Sequence, residues 1–100
     1  MSCETREQRQ DAIQRAVIEA DAYRRWHEDH AAEMLDALRE VLGWTGWQVR
    51  EVNVDALCVR LRARGREVYA QAAHQGGWIV GHVEGQDLLS LLRQVCGVAA

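Results

Sequence analysis

Apolar residues recur at three- and four-residue intervals up to residue 42, at every second position from 46 to 83, and at helical spacing again from 87 to 96. These periods predict helix, antiparallel sheet and helix in that order. From residue 4 to residue 42 there is no proline or glycine, and Ala, Glu, Gln, Arg and Leu dominate, so the segment is helical by propensity. As one helix it would run about 55 Å, at about 1.5 Å per residue, whereas a compact chain of this size has a radius of gyration near 13 Å. Ile13, Val17 and Ala20 form one apolar stripe, and Ala31, Met34, Leu35, Leu38, Val41 and Leu42 form another. Joining the stripes places Arg24 and His27 among apolar neighbours and leaves Tyr23 and Trp26 to one side. Either the helix breaks near Trp26–His30, or a partner buries Tyr23 and Trp26. The break is favoured because the second stripe is the more strongly amphipathic, and Gly43 then serves as its C-cap.

The alternating segment fixes a register. With Arg64-Gly65 as a hairpin tip, Arg62 faces Glu67, Leu61 faces Val68, Arg60 faces Tyr69, Val59 faces Ala70 and Cys58 faces Gln71. A slip of one residue would set apolar against polar throughout. A three-residue connection at Asn53-Val54-Asp55 sets Trp47 and Val49 beside Leu61 and Val59, with Gln48 and Arg50 on the arginine face. His74-Gln75-Gly76-Gly77 turns the chain into a strand over Trp78–Val83; a three-residue loop points Trp78 and Val80 inward and a two-residue Gly-Gly loop Ile79 and Val83, and the first is favoured because it buries the tryptophan. Leu88, Leu89, Leu91, Leu92 and Val95, followed by Gly97, make the last helix. The expected fold class is α+β: an N-terminal helical region (4–42), a four-stranded antiparallel meander (46–83) and a short C-terminal helix (87–96), as one domain over 1–100.

Composition changes this picture little. Apolar residues make up 48% and charged residues 27% of the 100, which fits a soluble globular protein. No run of eighteen apolar residues occurs, and no apolar stretch follows a basic N-terminus, so neither a spanning helix nor a secretory signal is expected. Cys3, Cys58 and Cys96 lack paired spacing and read as reduced thiols of a cytoplasmic protein. Arginine supplies all twelve cationic side chains, a bias compatible with a GC-rich bacterial or phage genome.

Charge is uneven along the chain. Residues 1–44 hold ten acids and six arginines, whereas 45–84 hold four acids and five arginines. Arg50, Arg60, Arg62, Arg64 and Arg66 form the one concentrated cationic surface, a candidate face for nucleic acid or an acidic partner. Glu67 and Tyr69 stand opposite Arg62 and Arg60, which leaves Arg64 and Arg66 as the unpaired tip. His27, His30 and Glu33 lie three apart, a spacing that can share a metal on a helix, but the pattern is not HExxH and reads as a polar helix turn. Pairing Cys58 with His82, or Cys96 with His74, would lack an orienting group and an oxyanion loop. Neither Gly76-Gly77 nor Gly81 leads into a helix at phosphate-loop spacing. No catalytic, metal or cofactor site is assigned.

The element order α-β-β-β-α resembles that of double-stranded RNA-binding domains. Those domains carry a lysine cluster at the start of the last helix, where this chain has Glu84-Gly85-Gln86-Asp87, so their function is not carried over. The function expected from the sequence is a small acidic, non-catalytic protein-binding module. It would be an inhibitor or neutralising protein of the immunity or anti-CRISPR kind that occupies a basic surface on a larger partner. Glu28, Asp29, Glu33 and Asp36 would supply the charge, with Tyr23 and Trp26 as apolar anchors. Nucleic-acid binding through the arginine face is the alternative, and a structural homodimer through the N-terminal helix is the third.

Overall fold

Residues 6–99 are described by the computed structural model. The first two positions of the expected helix, residues 4 and 5, lie outside them. One helix, α1 (Arg6–Val41), runs straight through Trp26–His30, where a break was favoured. Of the polar residues that argued for the break, Arg24 stays exposed and pairs with Asp21 and Glu28 of the same helix, and His27 makes a tertiary tie. The His27 Nε2–H donates to the carbonyl of Asp55 at 3.1 Å. The His30 Nδ1–H donates to the Trp26 carbonyl at 2.7 Å, and its ring lies 5.3 Å from that of Trp78. No proline or glycine opposes continuation. The molecule is therefore elongated, 64 × 22 × 21 Å with a radius of gyration of 18.8 Å, against about 13 Å for a compact chain of this length. The C-terminal half of α1 packs on a globular head and the N-terminal half projects from it.

Gly43 does not cap α1 in the left-handed region. The helix ends at Val41 with tightening bonds from the Gly43 N–H to the Glu40 carbonyl and from the Trp44 N–H to the Val41 carbonyl. Gly46, at φ +84°, stands before the first strand instead.

The sheet has five antiparallel strands in chain order, β1 (Gln48–Asn53), β2 (Cys58–Ala63), β3 (Arg66–Ala72), β4 (Trp78–Val80) and β5 (Val83–Gly85). The β2–β3 register is the one written from the sequence, residue for residue from Cys58↔Gln71 to Arg62↔Glu67. The β3–β4 pairing also agrees. The Ala73 N–H donates to the Gly77 carbonyl around His74–Gly76, and Trp78 faces the core at 1% exposure. Two features differ. The stretch expected as one strand, Trp78–Val83, is two, because Gly81 at φ +60° reverses the chain after three residues. β1 is also shifted. A bulge at Arg50 puts Val49 opposite Leu61 and Val52 opposite Val59, and the connection to β2 spans 54–57. That turn is held by the Asn53 side chain, whose Oδ1 accepts from the Ala56 N–H, and by Leu57 at φ +53°. The bulge inserts one residue, which a strict period of two cannot anticipate.

Val59, Leu61, Val68, Ala70, Trp78 and Val80 form the inner sheet face. They pack on Met34, Ala37, Leu38 and Val41 of α1 and on Leu88, Leu91, Leu92 and Cys96 of α2 (Leu88–Cys96). Each fully buried large side chain contributes about 1.5–3 kcal/mol. α2 closes on Gly97 at φ +72°. Its N-terminus is held by α1: the Leu88 N–H donates to Glu33 Oε2 at 2.9 Å, while Asp87 accepts from the Ser90 hydroxyl and makes no side-chain cap.

Candidate functional site

The arginine face is less free than its sequence suggests. Arg60 pairs with Glu51 of β1 at 3.5 Å rather than lying over Tyr69. Tyr69 lies on the same face, and a side-chain hydrogen bond with Cys58 raises its phenol above the ordinary 10. Arg66, expected to be unpaired, donates to the Val95 carbonyl and sets its guanidinium 5.8 Å from the centre of the Trp47 ring. The register brings Arg62 opposite Glu67. Arg50, Arg62 and Arg64 remain exposed with no carboxylate partner among the described residues.

The His27, His30 and Glu33 side chains are each taken up by the ties described above, and no cluster of three such ligands among the described residues could hold a metal. Cys96 is a core residue. Burial pushes its thiol up to about 11, which keeps it protonated and unreactive at neutral pH.

The predicted acidic set is scattered. Successive residues of a helix point about 100° apart, so Glu28 and Asp29 diverge. Glu28 reaches Arg24 at 4.0 Å, Asp36 holds Arg39 at 3.1 Å, and Glu33 caps α2. Only Asp29 of the four has no partner among the described side chains. Glu33 belongs to the internal structure of the fold and cannot also serve a partner without unlocking α2.

Tyr23 and Trp26 do come together, at the elbow where α1 leaves the head. Their rings stack at 5.8 Å, Trp26 lies 4.5 Å from His30, and His30 continues the contact to Trp78. This aromatic ladder runs from an exposed ring into the core. Its outer members, Tyr23 and Trp26, line a cleft of about 690 Å³. The β1–β2 turn (Asp55–Leu57) and the β3–β4 turn (His74, Gln75 and Gly76) supply the opposite walls, with Gln71, Ile79, Glu84 and Gln86 at the base. Gly77 is required here, since at φ +78° a Cβ would stand 2.6 Å from the Gly85 carbonyl oxygen. Sequence reading missed Asp55, His74 and Glu84, which come from three separate segments and carry no local pattern.

Beyond the elbow, α1 is an arm. Every residue from 9 to 25 is exposed except the half-buried Asp21. Ile13, Val17 and Ile18 stand 62%, 54% and 67% exposed. No protein-family model, curated protein or solved structure matches the chain.

Proposed function

We propose that the protein is a non-catalytic binding module that docks a larger, basic protein partner through the projecting half of α1 and its elbow, and inhibits or neutralises that partner by occupying its surface. The observation that carries this reading is the arm itself. A helix of residues 9–25 extends about 25 Å at 1.5 Å per residue, and an isolated helix of that length is marginal in water. Ile13, Ala16, Val17 and Ala20 nevertheless keep the i, i+3, i+4, i+7 spacing of one helix face along it. A stripe with no intramolecular contact is the kind of surface that helix-in-groove recognition uses. Tyr23 and Trp26 supply aromatic anchors at its base. Asp29, Asp55 and Glu84 give the elbow its negative charge, in place of the broader acidic row. Nucleic-acid binding is supported less, because Arg60 and Arg66 have internal partners.

The test is affinity capture from the native host with wild type, Ile13→Glu/Val17→Glu and Arg62→Ala/Arg64→Ala proteins. A stoichiometric protein retained by wild type and by the arginine variant, but lost with the arm variant, supports the reading. Retention by the arm variant, or loss only with the arginine variant, overturns it. The same spacing favours a second reading, an arm-to-arm homodimer. Sedimentation at high micromolar concentration separates the two, since only the homodimer gives a dimer without a partner.

A further inference from the structure

We infer that the elbow cleft is a receptor for a single arginine side chain presented by the docked partner. The inference rests on the docking reading above and specifies what the elbow recognises. Three observations carry it. The wall is aromatic and available: Tyr23 is 64% exposed and its ring stacks with that of Trp26 at 5.8 Å. The charge is complementary. Asp55 and Glu84 line the cleft with no ion-pair partner among the described residues, and no arginine among the described side chains lines it. The volume, about 690 Å³, lies in the range of pockets that enclose a small ligand, which leaves room for a long side chain with its flanking backbone.

Arginine fits better than lysine. A guanidinium is planar, stacks on aromatic faces and donates as a rigid fork to carboxylates and amide oxygens. The walls here offer flat rings, carboxylates and the side-chain amides of Gln71 and Gln86, not the compact oxygen cage that suits an ammonium group. The protein already makes the same contact internally, where Arg66 lies 5.8 Å from the centre of the Trp47 ring.

The experiment titrates the full-length, isotope-labelled protein with the peptide Ac-Gly-Arg-Gly-NH2 and with its citrulline counterpart, which keeps the shape and removes the charge. The expected result is saturable shifts of the Trp26 indole N–H and of the Gln71 and Ile79 amides with the arginine peptide, at least tenfold weaker with citrulline. Asp55→Asn/Glu84→Gln, an isosteric pair at exposed positions, should weaken the arginine peptide by at least tenfold. Equal binding of citrulline, shifts centred elsewhere, or an unchanged affinity in the folded variant overturns the inference. The two readings fail separately. If capture of the partner depends on Ile13 and Val17 but no peptide binds, the cleft assignment alone falls. If the peptide binds but capture ignores the arm, the docking reading falls and the cleft remains.

Discussion

Replacing Glu33 with alanine separates a structural role from a docking role for the acidic side of α1. The first turn of any helix leaves four N–H groups without intrahelical partners. In α2 one of them, that of Leu88, is bonded to the Glu33 carboxylate at 2.9 Å, with Leu88 fully buried. Asp87, in the N-cap position, makes no side-chain cap. Losing an N-cap acceptor costs about 1 kcal/mol, and the charge at a helix N-terminus adds about 0.3–1 kcal/mol when partly shielded. A hydrogen bond to a charged group is worth about 1.5–3 kcal/mol net. These figures overlap near about 1.5 kcal/mol for Glu33→Ala. At about 4–8 °C per kcal/mol for a domain of this size, the melting midpoint should fall by roughly 6–12 °C. Glu33→Gln keeps an acceptor oxygen and loses the charge, so it should cost about 0.5 kcal/mol. Urea unfolding followed at 222 nm measures both, with an unchanged m-value showing that the folded state has not loosened. Faster exchange of the Leu88 amide would locate the effect. A change within about 0.5 kcal/mol for the alanine variant, typical of an ordinary surface site, would refute the cap and return Glu33 to the pool of side chains free to meet a partner.

Trp78→Ala should remove about 3–5 kcal/mol, because the ring is 1% exposed at the centre of the core; urea unfolding would show most of an ordinary domain's stability gone. The exposed arm should behave oppositely, with Ile13→Glu/Val17→Glu leaving the unfolding midpoint of the head within about 0.5 kcal/mol of wild type, and a larger loss would mean that the arm packs on the head. Cys96 gives a pH dependence. Its thiol is ordinarily near 9.0 and is pushed up to about 11 in the fold, so folding favours the protonated form. That contribution is complete below about pH 9 and is lost as pH rises through 11. The stability of wild type should therefore fall faster than that of Cys96→Ala across this interval, and parallel curves would contradict it.

The sheet was legible where pairing is strictly periodic. Between Cys58 and Gln71, Val59 and Leu61 meet Ala70 and Val68 while Arg60 and Arg62 meet Tyr69 and Glu67, a match that a one-residue slip would destroy, and the structure adopts it. Legibility stopped where one residue breaks the period. Arg50 bulges, and nothing in Gln48–Asn53 marks it as the extra residue. Gly81 turns β4 into β5, although a lone glycine within an alternating run is also compatible with a continuous strand. The helix was misjudged for a different reason. Arg24 and His27 on an apolar stripe look like a defect when the helix is considered alone. Here His27 reaches the Asp55 carbonyl, far away in sequence, while Arg24 stays exposed and pairs with Asp21 and Glu28 along the helix.

The candidate site shows the same limit from the other side. Tyr23 and Trp26 were identifiable because they lie off the stripe of the helix that carries them. The other half of the site was not, since Asp55, His74 and Glu84 belong to two turns and the short last strand and meet only once α1 is anchored over the sheet's end. Part of the charge along α1 is spent within the fold. Ten acids stand against six arginines in the first 44 residues, and Glu28, Asp36 and Glu40 hold Arg24, Arg39 and Arg93, while Glu33 holds a backbone amide. Exposed pairs of this kind contribute only about 0–1 kcal/mol each to stability, but each one removes net charge from the surface a partner would meet. Asp55 and Glu84 of the elbow cleft stay without an ion-pair partner among the described residues. On the proposed reading, a partner would bring one well-placed cation and an apolar groove, which is a more selective demand than general basicity.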